Sequence, residues 1–202
     1  MPNSKIITLY NWALLCSLAT FVACANVVIP SGGEKDSQAP FVVASKPANK
    51  KTNHISNEIV IEFNEYFKLI NPSENVIISP PQSVSPSFRI RGKKLYIGFN
   101  DTLLKEVTYI LFFNSCVVDI NEGNVLDDYS FVFSTGSILD TNKVSGRIVT
   151  APFLEAGKNV FVGVYEFSNG NDFYNRKPKY VCKSDDNGYF SLEHLSMKDF
   201  QL

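Results

Sequence analysis

Short runs in which apolar and polar residues alternate constrain this chain more than anything else in it. In Glu58-Ile59-Val60-Ile61-Glu62-Phe63, the side chains of Ile59, Ile61 and Phe63 fall on one side and those of Glu58, Val60 and Glu62 on the other. That is the period of a strand with one buried face. Ser87-Phe88-Arg89-Ile90-Arg91 turns at Gly92-Lys93 into Lys94-Leu95-Tyr96-Ile97-Gly98-Phe99, a hairpin whose inward set is expected to be Phe88 and Ile90 against Leu95, Ile97 and Phe99. Tyr109-Ile110-Leu111-Phe112-Phe113 is apolar on both faces, as a central strand covered on both sides would be, and Tyr129-Ser130-Phe131-Val132-Phe133-Ser134 alternates again. Many of the 16 Phe lie in such runs, where aromatic side chains favour strands over helices. About six short strands over about 100 residues, separated by turn residues, predict an all-β chain organised around a β-sandwich.

Composition narrows the functional classes. With 45% hydrophobic residues in 202, the chain can build one or two small cores, and it is neither disordered nor a disulfide-dense miniprotein. Lys and Arg total 19 against 20 Asp and Glu, so no electrostatic argument favours nucleic acid as a partner. There are two histidines, His54 and His194, both read as solvent-exposed. No Gly-x-Ser-x-Gly elbow, phosphate loop or His-Glu-x-x-His occurs, and Glu62 and Glu65 point to opposite faces of a strand, which keeps them from converging on one bond. The expectation is a protein without catalysis or cofactor.

The amino terminus speaks to location. After Lys5, residues Ile6 to Gly33 carry no charge, and Trp12 to Ala23 form an apolar run of 12 residues. This is the length of a signal-peptide core and falls short of the roughly 20 residues of a spanning helix. Phe21-Val22-Ala23-Cys24 follows and resembles a bacterial lipobox, with Phe21 in place of the usual Leu. The resemblance implies cleavage between Ala23 and Cys24 and lipidation of Cys24, with multiple acyl chains giving stable anchoring. An uncleaved anchor helix is the other reading. Residues 24–37, with Pro30, Ser31, Gly32 and Gly33, read as a tether.

Asp36, Ala39-Pro40, Glu62-Phe63-Asn64-Glu65, Leu103 with Thr108-Tyr109, Asp119 with Glu122-Gly123-Asn124, and Phe131-Val132-Phe133-Ser134-Thr135-Gly136 together resemble a bacterial Ig-like domain of the S-layer type over residues 38–136. The resemblance implies a tyrosine corner at Tyr109, whose hydroxyl bonds back to upstream backbone; an ordinary core tyrosine is the alternative. The Asp119 segment looks like the start of a calcium loop, but Gly123 falls at position five and Ser130 at twelve, where an EF-hand needs glycine at six and Glu at twelve. A turn is preferred, with Gly123 and Asn124 both at positive φ.

Past a linker at 137–142, Val144-Ser145-Gly146-Arg147-Ile148-Val149, Val160-Phe161-Val162-Gly163-Val164-Tyr165 and Asp185-Asp186-Asn187-Gly188-Tyr189-Phe190-Ser191-Leu192 look like part of a carboxypeptidase-regulatory-like, transthyretin-like sandwich over 143–202. Members of that family use this module for structure or adhesion. The segment is short for it, so a truncated chain or completion by a partner is expected. Asn187-Gly188 is a hairpin signal, and Cys116 and Cys182 are read as buried free thiols, with a disulfide between the two units as the alternative in an oxidising compartment. The chain is thus expected to be a lipid-anchored cell-envelope protein, placed at the outer membrane, with a structural or adhesive role toward other envelope proteins. The alternative is a carbohydrate-binding accessory lipoprotein that presents an aromatic platform from among Tyr66, Phe67, Tyr96, Tyr174 and Tyr180.

Overall fold

The computed structural model describes residues 33–127, 129–165 and 176–196; the Ala23-Cys24 cleavage and lipidation site and Tyr174 lie outside the described residues. Contacts divide the chain between Lys35 and Asp36, and every described strand belongs to the unit that begins at Asp36. Its first ten strands are β1 (Val42–Lys46), β2 (Glu58–Phe63), β3 (Phe67–Leu69), β4 (Val76–Ser79), β5 (Ser87–Arg91), β6 (Lys94–Gly98), β7 (Thr108–Phe113), β8 (Val117–Asp119), β9 (Val125–Leu126) and β10 (Tyr129–Ser134). A single-turn helix, α1 (Pro72–Asn75), precedes β4.

The strands pair antiparallel into a four-stranded sheet in the order β1-β2-β6-β5, a three-stranded sheet β10-β7-β4 and a smaller β3-β8-β9 sheet. The alternation explains the packing. Ile59, Ile61 and Phe63 of β2 and Leu95 and Ile97 of β6 meet Tyr109, Leu111 and Phe113 of β7 and Phe131 and Phe133 of β10 in one buried core. This is the two-layer arrangement of an Ig-like β-sandwich, in which alternate side chains of both sheets interdigitate.

The β5–β6 hairpin turns at Gly92-Lys93 with Gly92 at φ 61°, a left-handed conformation that glycine adopts without strain. Phe88 packs on the core as expected, but Ile90 is 40% exposed. The reason is position: β5 is the outermost strand of its sheet, with no neighbouring strand beyond it to shield Ile90.

Strand β7 is apolar on both faces because both faces are covered. Tyr109, Leu111 and Phe113 point into the sandwich, while Phe112 of β7 and Val132 of β10 are buried on the other side of the sheet. Six further strands follow, β11 (Asn142–Arg147), β12 (Val149–Thr150), β13 (Glu155–Ala156), β14 (Phe161–Val164), β15 (Tyr180–Lys183) and β16 (Tyr189–Leu195), which pair as β11-β16, β12-β13 and β14-β15, and β15 and β16 lie against this sheet as its cover. Tyr180, Cys182, Leu192 and Leu195 form a second buried cluster, against which Ile110 packs. The Lys183 Nζ donates to Asn114 Oδ1 at 3.0 Å and the Asp140 N–H to Thr108 Oγ1 at 3.0 Å, so polar bonds also join the two sets of strands.

The free edge of β10 is closed by residues 49–54. Lys50 N–H donates to the Val132 carbonyl (2.7 Å), Ser134 N–H to Lys51 (2.8 Å) and His54 N–H to Ser134 (3.0 Å), while Asn49 Oδ1 accepts from Val132 N–H at 2.8 Å. Covering an edge in this way removes a template for pairing with other chains.

Candidate functional site

Tyr109, at the start of β7, is fully buried, and its hydroxyl accepts from the Leu104 N–H at 2.8 Å. Its ring stacks on Phe133 with centroids 5.3 Å apart and planes 14° apart. The hydroxyl therefore ties the loop before β7 to the core, the arrangement a tyrosine corner describes.

Asp119, at the end of β8, organises the following loop. Its carboxylate is buried and accepts from the backbone N–H groups of Glu122 (2.7 Å), Gly123 (3.1 Å) and Asn124 (2.7 Å). Burial alone would raise its pKa; the donors at Glu122, Gly123, Asn124 and Asn121 outweigh it and hold the pKa below the usual carboxylate value. The lone pairs a cation would need are thus spent on backbone. Gly123 has φ 83°, but Asn124 is not left-handed, contrary to the expectation of two positive-φ residues. Its N–H is held by Asp119 while its Nδ2 donates to the Asp36 carbonyl at 3.0 Å, and these bonds fix its backbone without a second left-handed turn. No group of three or more His, Cys, Asp or Glu side chains gathers around a common point among the described residues.

His54 and His194 are not solvent-exposed as their sequence neighbours suggested. His54 is buried at 9% exposure, edge-on to Phe133 with centroids 4.9 Å apart, and its Nε2 has no partner among the described residues. It is buried because residues 49–54 lie along β10 and carry its ring onto the core. Burial lowers its pKa, opposed by a backbone contact at Ser56. His194 is half-buried, with its Nδ1 2.8 Å from the Asp140 carbonyl.

The sign of the His54 effect follows. Its folded pKa lies below the unfolded value of about 6.5, so below about pH 6.5 the unfolded chain takes up a proton that the folded chain does not, and stability is lost as pH falls. Melting curves at pH 7 and pH 5 are expected to show a larger fall in Tm for the wild type than for His54→Phe, which keeps a ring against Phe133 and has nothing to protonate. An equal fall in both would rule His54 out as a source of acid sensitivity.

Asn187-Gly188 forms a tight turn, with Gly188 at φ 82° and an Asp185 N–H to Tyr189 carbonyl bond of 2.8 Å. It is not a ladder hairpin, however: β15 pairs with β14 and β16 with β11. The turn passes the chain from one ladder to another, and an added Cβ at Gly188 would collide with the Ile148 carbonyl, so glycine is required there on two counts. Cys116 and Cys182 are buried and form no disulfide, and burial pushes the Cys116 pKa up to about 11, away from nucleophilic use.

The expected aromatic platform does not assemble among the described residues. Phe67 packs in the core beside Phe63 at 4.4 Å, and Tyr180 anchors the second cluster. Tyr66 is exposed with Lys93 Nζ 5.7 Å from its ring centre, and Tyr96 lies half-buried between the guanidinium groups of Arg89 and Arg91, each 5.8 Å away. A cleft of about 740 Å³, bordered by Leu104, Lys105, Glu106, Asp140 and Arg176, brings together no Ser–His or Cys–His pair.

The two-layer, all-β arrangement, with polar side chains that cap loops and close edges, defines the class of the fold as an Ig-like β-sandwich. Residues 36–135 match the family described as "Bacterial Ig-like domain". Among solved structures, the N-terminal part of the bacterial S-layer protein SbsC is similar at 14% identity and a TM-score of 0.36, over 77% of this chain and 44% of that one. The chain thus spans less than half the length of that structure. An L,D-transpeptidase from Mycobacterium smegmatis is similar at 11% identity and a TM-score of 0.33, over 73% of this chain and 77% of that one. No curated protein matches.

Proposed function

We propose that this is a lipid-anchored protein of the bacterial cell envelope that presents an Ig-like module in a structural or adhesive, non-catalytic role. The match of residues 36–135 to the bacterial Ig-like domain carries the surface-associated, non-catalytic part of this reading. The chemistry of the described residues supports it: Asp119 is engaged by backbone donors, His54 is packed on Phe133, and both described cysteines are buried. The anchor rests on the sequence, in which an uncharged apolar run of 12 residues ends at Ala23, directly before Cys24.

The test is the state of Cys24. In a host with lipoprotein processing, the mature protein is expected to begin at Cys24 with the mass of an acylated residue. Cys24→Ser is expected to abolish the lipid adduct, and globomycin to cause precursor to accumulate. An unmodified Cys24 in the wild-type chain would overturn the anchor while leaving the Ig-like module untouched.

A further inference from the structure

One end of the Ig-like sandwich differs in chemistry from the other. The unit starts at Asp36, whose carbonyl is held by Asn124 Nδ2, and the chain then joins the sandwich at Phe41. The Phe41 N–H donates to Asn64 Oδ1 at 2.7 Å, and the Asn64 N–H donates to the Phe41 carbonyl at 3.0 Å. Lys93, at the tip of the β5–β6 hairpin, donates through Nζ to the Asn64 carbonyl at 2.6 Å and lies over the Tyr66 ring. The Tyr66 carbonyl accepts from the Ile120 N–H at 3.3 Å. These bonds place Phe41, Tyr66, Ile120 and Lys93 side by side, and the three apolar side chains are 51%, 57% and 53% exposed.

The opposite end, around the start of β2 and the end of β10, also exposes apolar residues, but Ile55 and Ile138 are aliphatic. The entry end joins two exposed rings to the cationic tip Arg91, Lys93 and Lys94. Of the carboxylates nearby, Glu62 is paired with Lys94 at 3.2 Å, Glu65 accepts from Asn64 Nδ2 and Asp36 accepts from the Gln38 N–H through Oδ1, while Glu122 lies within the Asp119 loop. Aromatic rings flanked by long cationic side chains suit the boundary of a bilayer, where the rings sit among headgroups and the cations reach lipid phosphates.

We propose that this end, formed by Phe41, Tyr66, Ile120 and the Arg91–Lys94 hairpin tip, rests on the phospholipid headgroup layer as a second membrane contact. The occupant is argued from charge and from where the chain enters. Under the lipid-anchor reading, on which this proposal rests, 11 residues lie between Cys24 and Asp36, a span of at most about 43 Å, and the tether enters the unit at this end. The contact would fix the orientation of the module and turn the far end, with Ile55 and Ile138, away from the membrane.

The experiment is hydrogen exchange read by mass spectrometry on the full chain, free in detergent and on vesicles of phosphatidylethanolamine and phosphatidylglycerol, with the mass of the amino-terminal peptide measured on the same sample. Vesicles are expected to slow exchange at least fivefold in peptides covering residues 64–66, 92–93 and 120–123, with no change in β10. Phe41→Ser/Tyr66→Ser is expected to abolish that protection, and Ile120→Asp, a single exposed change that sets a negative charge against the headgroup phosphates, is expected to abolish it too should the double variant fail to fold. Vesicle-bound chain with acylated Cys24 and unchanged exchange in these peptides would overturn the contact while the anchor stands. Should Cys24 prove unmodified, the anchor falls, and exchange in these same peptides on vesicles still decides for or against the contact.

Discussion

Replacing Phe133 by Ala is expected to lower the stability of the unit by about 3–5 kcal/mol, a fall in Tm of roughly 10–15 °C for a domain of this size. Phe133 is fully buried and stands at a junction of rings: Tyr109 stacks on it, Phe99 meets it at 5.8 Å, Phe131 at 6.5 Å and His54 edge-on at 4.9 Å. Removing it leaves a cavity touched by both layers of the sandwich and by the 49–54 segment, and all four of these neighbours are rings too rigid to collapse into it. Urea unfolding is the appropriate measurement: the midpoint should fall with little change in slope, since the surface exposed on unfolding is unaltered. Tyr109→Phe keeps the stacking and loses only the acceptor for Leu104 N–H, so a loss of about 1 kcal/mol is expected. Equal effects for the two variants would show that the ring junction is not what holds the layers together.

Asp119→Ala is the second large effect, with an expected fall in Tm on the order of 10 °C at pH 7. Three backbone donors lose their acceptor together, and those of Gly123 and Asn124 belong to a loop that also meets Asp36. The linkage has a definite sign. The Asp119 pKa is depressed in the folded chain, so its contribution is complete above the unfolded value of about 3.9 and is lost as pH falls through the folded value. The gap in Tm between wild type and Asp119→Ala should therefore be widest near neutrality and close in strong acid. A gap that stays constant with pH would assign the loss to side-chain packing and remove the carboxylate from the explanation.

Much of the sandwich was legible in the sequence because alternation over five or six residues reports directly which face is buried. Ile59, Ile61, Phe63, Leu95 and Ile97 are all found where that pattern puts them, and the Gly92-Lys93 turn sets the β5–β6 register. What was hidden depends on contacts between distant segments. His54 sits among Asn53 and Ser56, and nothing local says that this stretch lies along β10. Phe67 belongs to a three-residue strand, too short to show a period. Asn187-Gly188 encodes a turn but not the partners of the strands on either side, which here are β14 and β11. The turn at the Asp119 loop is visible in Glu122-Gly123-Asn124, while its mechanism, a carboxylate satisfying consecutive backbone donors, shows only in three dimensions. Tyr109 was identifiable from its place before a late strand; the residue receiving its bond, Leu104, was not.

The strand β7 serves as a party wall. Its inner side chains complete the Ig-like core, and its outer face, through Ile110 and Phe112, floors the strands that follow. Each half of the unit therefore uses the other as part of its own interior, and neither can open without wetting a face of the same sheet. A pull or a denaturant acting on β15 or β16 is transmitted to β7 and so to the Tyr109–Phe133 junction. The strands from Asp36 onward therefore form one compact unit built on both faces of a shared sheet and not two beads on a string.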